Sequence, residues 1–168
     1  SLAKEQRGGY PIMFRLTRTT DYAILAMASM ADNPQQLLFT SRGLHEAIQI
    51  PLPTVSKILK TLMSHRLLFS VRGAKGGYRL ARLPTEIGLL EVIDALEGRI
   101  ALTECAGDDR EPCGCDIETS CLVSDTWRAI NHRVRAALED ITLADMARNT
   151  LEQRCLGSTV QAEQPEEQ

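Results

Sequence analysis

Ile50-Pro51-Leu52-Pro53 stands between two short segments of helical apolar periodicity, and this punctuation constrains the fold more than any other feature of the 168-residue chain. Proline lacks an amide hydrogen and fixes φ near the helical value, so it breaks a helix interior but suits the first turn of a new helix. Upstream, residues 41–49 carry Leu44, Ala47 and Ile48 on one face, with Thr40 or Ser41 as cap. Downstream, a helix running to about His65 has Val55, Ile58, Leu59 and Leu62 in one stripe. It turns Thr54, Lys57, Lys60, Thr61 and Ser64 away. Two helices joined this tightly, the second with a polar and basic outer face, predict a helix-turn-helix. Leu67–Arg72 and Tyr78–Arg82 then flank the turn Gly73-Ala74-Lys75-Gly76-Gly77, which predicts a β-hairpin. A hairpin in that place is a wing, and Arg72, Lys75, Arg79 and Arg82 charge it with no acid among them.

The flanking segments fit around this unit. Residues 17–31 predict a helix with Ile24, Met27, Ala28 and Ala31 inward, Thr17 or Thr20 as cap and Asn33-Pro34 as stop. Pro84-Thr85 is read as the opening of a fourth helix with Leu89, Leu90, Ile93 and Leu96 inward, ended by Gly98. Residues 103–121 lose helical periodicity and need something to order them. Ser124 or Asp125 is read as the cap of a long helix. In it Trp127, Ile130, Val134, Ala137 or Leu138, and Ile141 recur at three- and four-residue spacing, close to a coiled-coil seam. Thr142-x-x-Asp145 has the form of a capping box for a short terminal helix. The expected fold is therefore mainly α with a small β wing. A disordered leader (1–12) precedes a winged helix-turn-helix DNA-binding domain (13–98). A cysteine-rich loop (99–123), a long C-terminal dimerisation helix (124–148) and a disordered acidic tail (149–168) follow.

Charge is divided along the chain. Residues 1–82 hold 12 Lys and Arg against 4 Asp and Glu, a net of +8, whereas residues 83–168 hold 7 against 18, a net of −11. A basic half that meets a polyanion and an acidic half with another task follow from that swing. No apolar run approaches the ~20 residues that span a bilayer. Ser1–Phe14, with Lys4, Glu5, Arg7 and Gly8-Gly9, has no apolar core of a secretory signal, and Met13 stands at the start of the patterned chain. A cytoplasmic protein with no membrane partner is expected. The chain also has no Gly-rich nucleotide fingerprint and no nucleophile–base pairing, so it is not read as an enzyme.

The basic face of helix 51–65 suits a DNA major groove: lysines attract phosphate through counterion release, and short hydroxyl side chains reach base edges. A basic helix face by itself is equally a solvated surface; the basic wing beside it is what points to double-stranded operator DNA. The expected interface comprises Thr40, Ser41, Pro53, Thr54, Ser56, Lys57 and Lys60 from the helices, and Arg72, Lys75, Gly76, Gly77 and Tyr78 from the wing. Arg72 or Lys75 would enter the minor groove.

None of the five cysteines precedes Cys105, and Cys105, Cys113, Cys115 and Cys121 fall within 17 residues. In a reducing compartment such a cluster binds metal or senses redox. The spacing Cys105-x7-Cys113-x-Cys115-x5-Cys121 departs from the two-to-four-residue gaps of structural zinc pairs. Thiolates wrapped round an iron–sulfur cluster (2Fe–2S or 4Fe–4S) fit it better, with zinc or a redox disulfide as alternatives. Cys155 lies beyond the patterned region and is read as a bystander. His45, His65 and His132 lack ligand spacing, and Trp127 is read as an interface residue.

Three segments carry a family resemblance. Leu16-Thr17-Arg18-Thr19-Thr20-Asp21-Tyr22-Ala23 resembles the start of the winged-helix iron–sulfur regulators of IscR and NsrR type (Rrf-two type). Ser70-Val71-Arg72-Gly73-x-x-Gly76-Gly77-Tyr78-x-Leu80-Ala81 is similar to their wing. A cysteine loop before a long helix starting near Trp127 completes the match, over about residues 13–148. The resemblance implies a homodimeric regulator, a repressor or an activator with repression favoured, whose cluster controls operator binding. Its metal ligands would be Cys105, Cys115 and Cys121, with Cys113 as the alternative to Cys115. IscR-like members place a His three residues after the last cysteine, where this chain has Ser124. NsrR-like members use an Asp of the first helix from the other protomer, which implies Asp21 of the partner subunit as fourth ligand. A Glu that reads bases in IscR is matched here by Ser56. With Leu143-Ala144-Asp145-Met146 after the long helix, the pattern looks most like the branch that regulates sulfur-mobilisation (SUF) cluster-assembly genes. Nitric-oxide or redox sensing on the same fold, a zinc- or thiol-based winged helix, and an iron–sulfur electron-transfer protein are the alternatives.

Overall fold

The structure is a computed structural model that describes residues 16–73, 75–103, 106 and 121–148. Its helices are α1 (Arg18–Ala31), α2 (Ser41–Ile48), α3 (Leu52–Ser64), α4 (Leu89–Glu97), α5 (Ser124–Glu139) and α6 (Leu143–Arg148). Strands β1 (Leu68–Val71) and β2 (Gly77–Leu80) lie between α3 and α4. The leader, the tail and most of the cysteine loop fall outside the described residues. No described helix is long and apolar enough to cross a membrane.

The core is aliphatic, as a chain with only 4% aromatic residues requires. Val55, Ile58, Leu59 and Leu62 of α3 are at most 1% exposed and meet Met27 of α1, Leu44 of α2 and Val92 and Ile93 of α4. Each such side chain contributes about 1.5–3 kcal/mol of burial free energy. The Thr17 hydroxyl caps α1 by accepting the Thr20 N–H, and the Thr40 hydroxyl caps α2 by accepting the Gly43 N–H at 3.0 Å. Gln49 then takes the left-handed conformation (φ 56°), ends α2 and delivers the chain through Ile50 and Pro51 into α3.

β1 and β2 pair antiparallel, Leu68 opposite Leu80 and Val71 opposite Gly77. Phe39 adds a third element to the wing: its N–H donates to the Tyr78 carbonyl at 2.9 Å, and the Tyr78 N–H returns a bond at 2.7 Å. Gly77 permits that approach, because a Cβ there would stand 2.7 Å from the Phe39 carbonyl oxygen.

Four expectations are corrected. Ala47 is exposed, since the stripe of this eight-residue helix is narrow and centred on Leu44 and Ile48. Pro84-Thr85 does not open α4. It forms a 3-10 turn (Pro84–Glu86), after which Ile87 runs extended and fully buried and α4 starts at Leu89. The extended piece pairs with the α5–α6 corner: Leu89 N–H donates to the Ile141 carbonyl and Leu143 N–H to the Ile87 carbonyl, both at 2.8 Å. Neither Ser124 nor Asp125 caps α5; both are inside it, and the Ser124 hydroxyl donates back to the Cys121 carbonyl at 3.2 Å. Residues 124–148 are not one helix. α5 ends at Glu139, and α6 starts behind the Thr142–Asp145 box, in which the Asp145 carboxylate accepts the Thr142 N–H at 3.0 Å. α6 folds back onto α1 and buries Leu143.

Candidate nucleic-acid interface and cysteine site

α3 presents its apolar stripe to the core and, by the same 3.6-residue period, its polar residues to solvent. Pro53, Lys57 and Lys60 are exposed, and Thr54 and Ser56 are half-buried beside them. The hydroxyls divide by use. Thr61 donates to the Lys57 carbonyl and Ser64 to the Thr61 carbonyl, so both turn back onto the helix. Thr54 and Ser56 take no partner among the described residues. The Thr40 hydroxyl is engaged as the α2 cap. Ser41 is half-buried next to it, and Arg42, a further cation in the first turn of α2, is exposed.

On the wing, Arg72 and Lys75 are exposed. Gly76, Gly77 and Tyr78 shape it through backbone bonds: Gly76 N–H closes the turn onto Gly73, and Tyr78 makes the bridge to Phe39. Arg79 lies over the Phe69 ring at 5.6 Å. Arg82 is exposed and turned toward the start of α4, its guanidinium pairing with Glu91 and donating to the Glu86 carbonyl at 2.9 Å. Burial pushes the Glu91 carboxyl up, but Arg82 and the Gly88 N–H outweigh it and hold that carboxyl below its ordinary range.

Of the expected metal ligands, Cys121 and Asp21 are described, while Cys105, Cys113 and Cys115 lie outside the described residues, as does Cys155. Cys121 is a free thiol, half-buried, three residues before α5. Asp21 is exposed in the first turn of α1. Among the described residues no group of three or more His, Cys, Asp or Glu is placed to hold a metal. The donor chemistry nevertheless fits a soft metal centre: four cysteines occur within 17 residues, and the one described is a free thiol.

The surroundings of this segment were not legible. Glu97, at the end of α4, accepts the Thr17 N–H at 2.8 Å and the Thr20 hydroxyl, so it holds the first turn of α1. Those bonds, Thr20 foremost, keep its carboxyl below the ordinary range. Asp94 receives Arg135 of α5 through two bonds of 3.1 and 2.8 Å. Asn131 is the buried residue of α5, 5% exposed, and hydrogen-bonds the backbone of Ile100, Leu102 and Ala106. The expected seam of α5 divides accordingly. Leu138 and Ile141 pack on the chain's own core, whereas Ile130 is 39% exposed, with Trp127 and Val134 half-buried beside it; Val123, just before α5, is 51% exposed.

A family profile described as Rrf2, iron-dependent transcriptional regulator, matches residues 16–149. The IscR transcriptional regulator of Serratia proteamaculans is 32% identical over 135 residues, 80% of each chain. Among solved structures, T. potens IscR superposes with a TM-score of 0.61 at 24% identity, over 90% of this chain and 94% of that one. CymR, the global cysteine regulator of B. subtilis, does so with 0.63 at 21% identity, over 82% and 98%. Those likenesses establish the mainly helical winged-helix fold with its two-stranded sheet.

Proposed function

We propose, for a chain that belongs to the Rrf2 family of helix-turn-helix transcriptional regulators and is not an enzyme, that operator binding is governed by an iron–sulfur cluster. The protein is then a cytoplasmic homodimeric repressor of SUF cluster-assembly genes. The observation that carries this reading is the crowding of four thiols immediately before α5, ending in the unpaired, half-buried Cys121. Cys105, Cys115 and Cys121 would hold the cluster, with Cys113 in place of Cys115 as the other assignment and Asp21 of the partner subunit as fourth ligand. When bound, the cluster supplies a centre whose charge and integrity respond to iron supply, oxygen or nitric oxide.

The chain's own residues do the rest. Lys57, Lys60, Arg72 and Lys75 hold phosphates, and Thr54 and Ser56 offer unengaged hydroxyls to base edges. Thr40, Ser41 and Pro53 set the approach of the two helices, while Gly76, Gly77 and Tyr78 place the wing. The outward face of α5, with Val123, Trp127, Ile130 and Val134, pairs two protomers across a two-fold axis, so the operator is a near-palindrome. Glu97 and the Asp94–Arg135 pair tie the segment before the cysteines to α1 and α5. A difference of a few kcal/mol between loaded and empty forms then changes occupancy by orders of magnitude.

Anaerobic loading with iron and sulfide, followed by operator gel shifts at fixed salt, tests the reading. Brown protein is expected, with operator affinity that changes on cluster loss. Cys105→Ala, Cys115→Ala, Cys121→Ala and Asp21→Ala should each weaken the chromophore, and bleaching by Cys113→Ala with none by Cys115→Ala exchanges those two. Colourless, iron-free protein that grips its operator unchanged refutes the cluster; colourless protein containing zinc, or one that responds to thiol oxidation, assigns the site to zinc or a redox switch.

A further inference from the structure

An amphipathic helix ordinarily buries apolar side chains, yet the buried residue of α5 is a carboxamide, and its bonding is complete. The Asn131 Oδ1 accepts the Leu102 N–H at 3.2 Å, and Nδ2 donates to the Ala106 carbonyl at 2.9 Å and the Ile100 carbonyl at 3.4 Å. A buried amide gains little from burial itself and requires partners in fixed places, so such a residue specifies geometry. The three partners belong to one short stretch, and Cys105 falls in sequence between Leu102 and Ala106. The start of that stretch is held a second time: the Asp94 carboxylate that pairs with Arg135 also accepts the Ile100 N–H at 3.4 Å.

We propose that Asn131 is a positioning residue for the metal centre. It fastens the backbone on both sides of Cys105 to α5, so that the first ligand arm is set before the cofactor arrives. This rests on the cluster reading above. It adds that loading is encoded in part by a residue that is not itself a ligand, on the helix that also bears the pairing face. Ligand arms fixed beforehand lose less conformational freedom on binding, and outer contacts of this kind commonly change metal affinity by about tenfold or more.

The test uses the full chain, loaded anaerobically with iron and sulfide, comparing wild type, Asn131→Ala and Leu59→Ala. The read-outs are visible absorbance per chain, the half-time of iron loss to a chelator, the thermal midpoint of the apo form and hydrogen exchange at the Leu102 amide. Asn131→Ala is expected to lose iron about tenfold faster and to exchange the Leu102 amide faster. Leu59→Ala, destabilised in the core, should keep the wild-type half-time. If Asn131→Ala does not fold, Asn131→Asp carries the same comparison, since it keeps the acceptor for Leu102 and loses both donors. A variant that loads and retains iron as wild type does overturns the proposal alone. Iron loss matched by Leu59→Ala also overturns it, because general stability then accounts for the effect. A wild-type chain that takes up no iron removes the cluster reading and this proposal with it.

Discussion

Gly77→Ala separates the shape of the wing from its charge. A Cβ at residue 77 would lie 2.7 Å from the Phe39 carbonyl oxygen and 3.1 Å from the carbonyl carbon, and both are backbone atoms that cannot rotate away. Relief requires β2 and the Phe39 backbone to part by roughly half an ångström, since unstrained carbon–oxygen contacts begin at ~3.3 Å. That movement lengthens the Phe39–Tyr78 pair of bonds at 2.9 and 2.7 Å. Overpacking of this kind costs about 1–3 kcal/mol, which for a chain of this size lowers Tm by roughly 2–12 °C. No charge is removed, but Arg72 and Lys75 ride on the displaced hairpin. At a temperature where the variant is folded, operator affinity should fall, and the slope of log K against log salt should fall by about 0.9 for each phosphate that the wing no longer reaches. Lys75→Ala is the complementary change, expected to lower the slope by about 0.9 with Tm unchanged. Differential scanning calorimetry and fluorescence-anisotropy titrations at several salt concentrations read both. A wild-type Tm for Gly77→Ala refutes the close approach to Phe39. A lowered Tm with unchanged affinity and slope refutes the dependence of the wing's placement on that bridge.

Lys57→Ala should weaken binding to specific and random duplexes alike and reduce the salt slope by about 0.9, and an unchanged slope removes it from the phosphate-binding set. Leu59→Ala, at a side chain with 0% exposure, should cost about 2–5 kcal/mol in urea unfolding; a cost under about 1 kcal/mol would mean the site collapses freely. Glu97 titrates below the ordinary carboxylate value because Thr20 and Thr17 donate to it. Its contribution is therefore present above that ordinary value, about pH 4–5, and is lost as pH falls through the lower folded value. Glu97→Gln should flatten the acid limb of the stability–pH curve, and coincident limbs for variant and wild type would exclude that role.

Much of this architecture follows from local chemistry. The Pro51 and Pro53 punctuation, the α3 stripe, the Thr17 and Thr40 caps and the Thr142–Asp145 box are written in neighbouring residues, and each appears where periodicity and capping place it. The start of α4 differs from the local expectation because Pro84 suits a first turn by itself, whereas Ile87 answers to a distant partner, the strand-like pairing with residues 141–143. Arg82 counts as a wing cation in sequence and is claimed by Glu91 nine residues on. Asn131 does not stand out in a pattern of apolar repeats, although it lies seven positions before Leu138, on the same inward face. For the site, the candidate α3 and wing positions were legible because they are the residues a buried stripe leaves over. The grip on the segment before the cysteines was not, since it joins α1, α4 and α5 through bonds between residues 25 to 80 positions apart.

The return of α6 onto α1 has a consequence for any attempt to divide this protein. Leu143 plugs the same hydrophobic interior as α1, α2 and α3, and its N–H satisfies the carbonyl of the buried, extended Ile87. A fragment cut at residue 98 would therefore carry an open wound along α1, and would be expected to clump before it could be assayed on DNA. The winged helix-turn-helix and the corner between α5 and α6 share one interior, and they stand or fall as a unit.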